Sequence, residues 1–320
     1  MHPQSTDPVG NRWGAMQRYL IRRVLWLFPV LIFISLITFV LMHSVPGGPW
    51  DRDKKLAPQV VENLNRKYGL DKPLWQQYAS FLGNAAQGDL GVSFIYQDRK
   101  VTDVIREGFP VTATLAVSAI LIAIAIGIPL GVLAALRQNS WVDYLCLFFA
   151  TIGASVPNFV MGIVLIIVLS VGLHLLPTGG WGSWQKVIMP ALALGFYPAA
   201  LLARMTRASM IEAIRQDYVR TARAKGLVEN VVLWRHIFKN ALIPVVTVLG
   251  PWVAILITGS FIVESIFAVP GIGKFYIQGI FARDYGLLMG TTLFYAVVIA
   301  VANLSVDILY AFIDPRIRYE

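Results

Sequence analysis

Charged residues are scarce in this sequence of 320 residues: they make up 14% of the chain, whereas hydrophobic residues make up 57%. A soluble domain usually carries about 25% charged and about 45–50% apolar residues. There is one cysteine, Cys146, which excludes an internal disulfide. The four histidines, His2, His43, His174 and His236, stand apart from one another and from acidic clusters, so the sequence has no local metal-binding motif.

Catalytic motifs are also missing. Neither H-E-x-x-H nor G-x-S-x-G occurs. The segment Val269–Phe275 has a passing likeness to a phosphate-binding loop, but Phe275 stands where Ser or Thr would hold Mg²⁺, and Ala268 stands where the first glycine belongs. We interpret this segment as a rigid turn. The sequence therefore predicts a chain that is not an enzyme and has no metal or cofactor site, so ATP-driven work would fall to another chain.

The apolar residues are gathered into six long runs, which predict the fold class. Roughly 20 apolar residues in a helix cross a hydrocarbon core of about 30 Å. The runs are Val24–Val45, Thr112–Leu136, Tyr144–Val171, Val187–Leu202, Ile243–Val263 and Leu287–Phe312. They do not alternate, so helices and not barrel strands are predicted. The fourth run is short and contains Pro190 and Pro198, so a re-entrant or interfacial segment is its alternative.

Basic residues are unevenly placed between the runs. With a cytoplasmic N-terminus, 15 Lys and Arg fall on the cytoplasmic side and 3 on the other, leaving aside the long loop after the first run. Loops of that length contribute little to the positive-inside rule. The bias predicts that both termini are cytoplasmic. It also explains the net charge of +9 without nucleic-acid binding, because the cations lie at membrane edges.

The loop at 46–110 is long enough to fold. A helix is predicted over Pro58–Tyr68, with proline in its first turn and Gly69 as its stop. A second helix is predicted over Leu74–Gln87. Its shared face carries Trp75, Tyr78 and Leu82. Two interpretations stay open, a small cap packed on the helical bundle and a docking surface for an external partner.

A second segment between runs, residues 204–240, is basic and amphipathic, and we call it the elbow. It is predicted to begin as a helix that Gly226 ends in a left-handed conformation. The apolar stripe of this helix is Ile211, Ile214, Tyr218 and Ala222, and the basic residues off the stripe are Arg215, Arg220, Arg223 and Lys225. A second short helix follows, with Val231, Trp234 and Phe238 on one face and Arg235, His236 and Lys239 on another. The elbow is either an interfacial helix on anionic headgroups or a socket for a cytoplasmic protein.

Few ionisable residues lie near or within the runs. They are Asp143, Arg204, Glu264 and Asp307. An ion-coupled secondary transporter, the alternative function, would usually show an internal repeat and ion-binding residues at the middle of the membrane. No clear repeat is found, and the carboxylates lie near the ends of spans. Glu264 is predicted to line an outer gate, to pair with a neighbouring subunit, or to be exposed at the interface.

The elbow sequence Tyr218–Leu227 (YVRTARAKGL), followed by Arg235-His236 and Asn240–Pro244 (NALIP), resembles the EAA loop of ATP-binding-cassette (ABC) importer permeases. The resemblance is to the peptide/nickel branch of that family. Further matching segments are Gly69–Pro73, Gly88–Phe94, Thr258–Ser260, Val263-Glu264, Pro270–Gly273 and Asp314–Arg316. Three departures occur. Arg220-Thr221-Ala222 replaces Glu-Ala-Ala, and the stretch from Gly226 to Pro244 is longer than in sugar permeases, and both of these fit the peptide branch; Gly48 stands where the family often has Asp.

The resemblance implies an all-α integral membrane protein with six transmembrane helices, the type I ABC importer permease fold and a small helical outer loop. The implied partners are a homologous second permease, two ABC ATPases that bind ATP and Mg²⁺, an extracytoplasmic substrate-binding protein and the lipid bilayer. Coupling to the ATPases is implied for Tyr218, Arg220, Ala222, Arg223, Lys225, Gly226 and Arg235. A gate or subunit-interface role is predicted for Glu264, Gly271 and Gly273.

The predicted organisation is a cytoplasmic segment at 1–23, a first transmembrane helix at 24–45, an extracytoplasmic loop at 46–110, a permease core at 111–313 and a cytoplasmic tail at 314–320. The expected function is to move dipeptides or oligopeptides across the inner membrane of a bacterium or archaeon. ATPases would drive the movement through the elbow. Nickel chelates, glutathione and oligosaccharides are alternative substrates.

Overall fold

The computed structural model describes residues 10–50, 56–96 and 99–313, and most of them are helical. The predicted tail at 314–320, with its Asp314–Arg316 motif, and residues 1–9 of the predicted N-terminal segment lie outside the described residues. The helices are α1 (Gly10–Ser44), α2 (Pro58–Tyr68), α3 (Leu74–Ala85), α4 (Val101–Leu136), α5 (Trp141–Ser155), α6 (Asn158–Leu165), α7 (Trp184–Ile214), α8 (Asp217–Ala224), α9 (Glu229–Val231), α10 (Lys239–Ile257), α11 (Phe261–Ile266), α12 (Ile272–Phe281) and α13 (Tyr285–Ile313). Two π-helical segments, Ile166–Gly172 and Val232–Phe238, continue α6 and α9.

Five helical stretches are long and apolar enough to cross a membrane. They are Ile21–Ser44, Val101–Leu136, Trp184–Ile214, Glu229–Ile257 and Tyr285–Ile308. A sixth arises if the bent pair Trp141–Ser155 and Asn158–Gly172 is counted as one span. The all-helical fold with up to six spans is therefore confirmed. Several helices begin or end beyond the apolar runs, because hydropathy reports contact with lipid and not the extent of the helix.

The weakest span is the third and not the fourth. The fourth is one continuous helix of 31 residues, in which both Pro190 and Pro198 are buried, and 61% of its apolar window lies inside the protein. Neighbouring helices cover most of this window, so only a short part of the helix has to be apolar enough to contact lipid. In the third span α5 and α6 meet at 109°. Val156 there is extended (φ −89°, ψ 122°), the conformation that the following Pro157 favours.

The chain divides into two compact units: residues 1–104 with 278–320 form unit one, and residues 105–277 form unit two. In unit two α4 crosses α7 at close range. A Cβ at Gly127 would lie 2.5 Å from the carbonyl oxygen of Ala199, and one at Gly131 would lie 2.5 Å from that of Ala203. Helices α4 and α7 therefore approach each other closely at these two glycines.

In unit one a buried carboxylate fixes part of the loop between α1 and α4. Asp284 accepts hydrogen bonds from Ser93 Oγ (2.5 Å) and from the backbone N–H groups of Phe94 (2.7 Å) and Ile95 (3.0 Å). It also caps α13 by accepting from the N–H of Leu287 at 3.0 Å. This part of the loop is therefore packed on the start of α13, as a cap would be.

Candidate functional site

The elbow, residues 204–240, contains a break that the sequence did not predict. α7 continues to Ile214, the backbone is extended at Gln216 (φ −73°, ψ 149°), and α8 begins at Asp217. The prediction of one helix through this region was wrong. Because the break changes the helical phase, the predicted stripe is wrong at Tyr218, which is 40% exposed while its neighbour Val219 is fully buried; Ala222 of the stripe is buried as expected.

α8 is held in place by an apolar cluster. Val219 and Ala222 are buried on α8 and pack with residues of α4, α7, the second π-helical segment and α10. The other buried members of the cluster are Val132, Ala135, Met210, Ala213, Val232, Ile237 and Ala241. An isolated helix of 8 residues would be marginal in water. The cluster therefore sets the position of α8.

The turn after α8 is built around Gly226. Its φ is +76°, the left-handed conformation that the sequence predicted, and its N–H donates to the carbonyl of Arg223 at 2.9 Å. Arg223 also pairs with Glu229 across the turn, with Nη2–Oε1 at 2.6 Å and Nε–Oε2 at 3.1 Å. This pair raises the pKa of Arg223. Both side chains are largely exposed, so the pair contributes only about 0–1 kcal/mol to stability.

The predicted coupling residues differ in how exposed they are. We call the exposed charged and aromatic ones the elbow surface: Tyr218, Arg220, Arg223, Lys225 and Arg235. Four of them belong to α8 or follow it directly, while Arg235 lies on the π-helical segment. Gly226 is also exposed. Ala222, by contrast, is 5% exposed and belongs to the cluster beneath.

Four further residues beside the elbow surface were missed by the sequence. Val228 is 70% exposed and Leu227 is 40% exposed. The carboxylates of Asp217 and Glu229 are 96% and 66% exposed among the basic residues. No helical stripe marks Leu227 and Val228, because they lie between α8 and α9. The one feature of the sequence that could have pointed to them is their position just after the turn glycine, Gly226.

Glu264 lies on α11 and is fully buried. Its carboxylate accepts hydrogen bonds from Thr112 Oγ1 of α4 (2.9 Å) and from the N–H of Lys274 (3.3 Å), as well as one from the N–H of Gly273. Thr112 Oγ1 in turn accepts from the N–H of Ile272 at 3.0 Å. Burial raises the pKa of Glu264 to about 7, and these hydrogen bonds oppose the rise. Carboxylate and hydroxyl together tie α4, α11 and α12 to one another.

Three glycines pack against the carboxylate of Glu264. A Cβ at Gly259 would lie 2.6 Å from Oε1 of Glu264, and one at Gly273 would lie 2.8 Å from Oε2. A Cβ at Gly271 would overlap Oε2 and lie 2.5 Å from Oγ1 of Thr112. We call these five residues the glutamate cradle. The sequence singled out Glu264, Gly271 and Gly273, but not Thr112, which is 152 positions away from Glu264.

Two other predicted ionisable residues form ion pairs. Asp143 of α5 is 1% exposed and binds Arg207 of α7 through two contacts, Nε–Oδ1 at 2.6 Å and Nη2–Oδ2 at 2.7 Å. Asp307 of α13 pairs with Arg23 of α1. Arg204 is exposed on α7. Across residues 10–50, 56–96 and 99–313, no group of three or more His, Cys, Asp and Glu is arranged to hold a metal ion.

Comparison with known protein families gives two matches that together span most of the chain. A family described as "Binding-protein-dependent transport system inner membrane component" matches residues 127–319. Its companion, described as "Binding-prot-dependent transport system membrane comp, N-term", matches residues 16–116. Among solved structures, a chain of the inward-facing MetNI methionine ABC transporter matches with a TM-score of 0.56 at 18% identity, covering 67% of this chain and 97% of that chain. A chain of an amino acid ABC transporter crystallised with histidines matches with a TM-score of 0.52 at 17% identity, covering 68% and 95%. These likenesses show the type I importer permease fold.

Two relatives extend the likeness over nearly the whole sequence. The dipeptide transport system permease protein DppB of Bacillus subtilis (strain 168) is 42% identical over 303 residues, which cover 95% of this chain and 98% of that protein. The oligopeptide transport system permease protein OppB of Salmonella typhimurium is 41% identical over 306 residues, which cover 95% and 100%. The chain therefore belongs to the family of binding-protein-dependent transport system inner membrane components.

Proposed function

We propose that this protein is the permease subunit of an ATP-driven importer that carries dipeptides or oligopeptides across the cytoplasmic membrane. The observation that carries the proposal is the likeness, at 41–42% identity over 95% of the chain, to permeases named for dipeptide and oligopeptide transport. The elbow and, apart from Thr112, the residues of the glutamate cradle lie within the part of the chain that matches the inner membrane component family.

The importer would contain three other kinds of subunit besides this chain. A homologous second permease completes the translocation pathway, and an extracytoplasmic binding protein delivers the peptide. Two cytoplasmic ATPases bind ATP and Mg²⁺ and hydrolyse the ATP. The 15-to-3 distribution of Lys and Arg supports a topology with both termini in the cytoplasm, which puts the elbow on the side of the ATPases. The membrane would be that of a bacterium or an archaeon.

The elbow would couple ATP hydrolysis to transport by seating α8 in a groove of an ATPase. The mixed chemistry of its exposed residues supports a protein partner over lipid headgroups. Arg and Tyr are enriched in protein interfaces, and the strongly exposed Val228 adds apolar area. The carboxylates of Asp217 and Glu229 would be repelled by the anionic headgroups that attract a purely basic helix. Ala222, buried under α8, and Gly226, in the exposed turn that follows it, would act by fixing the angle at which α8 projects.

The glutamate cradle would act at the outer gate by positioning the segment that follows span five. The support is geometric, since one carboxylate holds α4, α11 and the start of α12 at fixed distances. Under this proposal Glu264 is a positioning residue, and the segment at 267–271 is the element that would meet substrate or the second permease.

Uptake by the reconstituted transporter tests the function. The chain is purified with its partner subunits, placed in liposomes with ATP inside, and supplied with the binding protein and a labelled dipeptide or tetrapeptide. Accumulation that requires both ATP and the binding protein is expected. Parallel samples contain a nickel chelate, glutathione or an oligosaccharide. Uptake of one of these without peptide uptake would refute the substrate, and ion-driven uptake by this chain alone, without ATP, would refute the whole assignment.

A further inference from the structure

Helix α3 presents an uncharged surface with two strongly exposed apolar side chains. Its 12 residues, LWQQYASFLGNA, include no Asp, Glu, Lys or Arg. Trp75 is 69% exposed and Leu74 is 52% exposed, whereas Tyr78, which the sequence placed on the same face as Trp75, is half-buried. Helix α2 of the same loop is different, since Glu62 and Arg66 form an exposed ion pair on its surface. A large exposed apolar side chain on an uncharged helix calls for a nonaqueous neighbour.

The depth of α3 along α1 identifies that neighbour. The hydroxyl of Tyr78 donates to the carbonyl of Ile32 at 3.0 Å and lies 2.9 Å from Oγ of Ser35. Ser35 is nine residues before the end of α1 at Ser44, which corresponds to about 13 Å along the helix axis. A tyrosine side chain is shorter than this, so the backbone of α3 near Tyr78 lies below the level of Ser44.

The surface of α1 at the same level is itself suited to lipid. Ile32 and Leu36, which lie beside Ser35 on the surface of α1, are 50% and 41% exposed. The window Ile21–Ser44 has 11% of its residues buried, the smallest share among the five spans. The exposed apolar residues of α3 therefore continue a surface of α1 that already requires hydrocarbon.

We propose that α3 is an interfacial helix, lying in the lipid leaflet on the side of the α1 C-terminus with Leu74 and Trp75 inserted at the headgroup–acyl boundary. Tryptophan is enriched at this depth in membranes, and interfacial helices typically insert an apolar face by about 5–10 Å. The amide of Gln77 fits this placement, because its Nε2 is already satisfied by the carbonyls of Leu70 (3.2 Å) and Lys72 (2.8 Å). The occupant of this surface is lipid and not a protein partner.

Spin labels test the placement in the full-length protein. In a Cys146→Ala background, single cysteines replace Trp75 on α3, Val60 on α2 as the matched aqueous control and Phe33 on α1 as the lipid control. Val60 is 45% exposed on the charged helix of the same loop. The protein is reconstituted in vesicles of phosphatidylcholine and phosphatidylglycerol. Collision rates with oxygen, which dissolves in hydrocarbon, and with a water-soluble nickel chelate are then measured at each position.

The expected ratio of oxygen to nickel-chelate collisions at position 75 is several-fold higher than at position 60 and approaches the ratio at position 33. A ratio at position 75 equal to that at position 60 would overturn the proposal. So would immobilisation of the label at position 75 by added binding protein, which would identify a protein partner. A second measurement leaves α3 intact: lipids brominated near the headgroup should quench the fluorescence of the unaltered protein more strongly than that of its Trp75→Phe variant. Equal quenching of the two would also overturn the proposal.

Discussion

Raising the pH should destabilise this protein through the buried carboxyl of Glu264. The ordinary pKa of the group is 4.5, and burial in the folded protein raises it to about 7. Between these values the folded protein keeps a proton that the unfolded chain has lost. The free energy of unfolding therefore falls as the pH rises through this window, and the stabilisation present below pH 4.5 is lost above about pH 7.

The size of the effect follows from the two pKa values. They differ by about 2.5, and a pKa difference of 1 corresponds to about 1.36 kcal/mol, so the full change is about 3 kcal/mol. Glu264 is 0% exposed, so solvent screening does not reduce this figure appreciably. The variant Glu264→Gln keeps the shape and an acceptor oxygen for the N–H of Lys274, but it cannot ionise. Its stability should lack this part of the pH dependence.

The assay compares the two proteins by unfolding in lipid nanodiscs at several pH values between about 5 and 8. Other titrating groups are common to both proteins and cancel in the difference. Because this range begins above the ordinary pKa of 4.5, Glu264→Gln should gain about 2.5 kcal/mol over it relative to the unaltered protein. Parallel stability curves would refute the reasoning, because they would mean that the carboxyl is solvated or paired with a cation. Thr112→Val provides a directional check: it removes a hydrogen bond that lowers the pKa of Glu264, so the window should move to higher pH.

Three other outcomes are expected. Charge reversal at the exposed Arg220 should reduce peptide-stimulated ATPase activity of the assembled transporter, whereas Lys72→Glu in the loop between α1 and α4 should not; equal effects would contradict the coupling role. Gly131→Ala should destabilise the fold by about 1–3 kcal/mol in unfolding assays, because the new Cβ would lie 2.5 Å from a backbone oxygen of α7. Asp143→Ala should lower the free energy of unfolding by about 3–5 kcal/mol in the same assays, because it leaves a partly buried arginine without its partner. Glu229→Ala breaks an exposed pair of similar geometry and should lower it by less than about 1 kcal/mol. Similar losses for the two variants would contradict the argument from burial.

The sequence predicted the spans because each apolar run is long and local. It failed where tertiary contacts decide the outcome. The run at 187–202 looked weak because it is short and contains two prolines, yet its helix is mostly covered by protein and extends to Ile214. The third run was predicted as one span, yet its two helices meet at 109° next to Pro157. Periodicity within one segment carries no information about what a neighbouring helix covers.

The candidate sites divide in the same way. Gly226 was predicted because a left-handed turn glycine is a local signal, and the basic residues of the elbow were predicted because charge is visible in the sequence. The sequence predicted Tyr218 as an inward-facing residue of α8, whereas Val219 is the buried one. The reason is the break of two residues at Arg215 and Gln216, which shifts the helical phase between α7 and α8. Thr112 could not be predicted from the sequence as the partner of Glu264, because the two residues are far apart in the chain and only the folded structure brings them into contact.

The cluster beneath the elbow explains how a force applied to α8 would reach the spans. Val219 and Ala222 pack in one buried group with residues from α4, α7 and α10. A tightly packed interior transmits displacement because it contains few voids to absorb it. α4 is also joined by Thr112 to Glu264 and, through that carboxylate, to the start of α12. Within unit two, α4 is therefore one continuous helix with the elbow packed near one end and the glutamate cradle near the other. A displacement of α8 by an ATPase would act on the cradle through this helix.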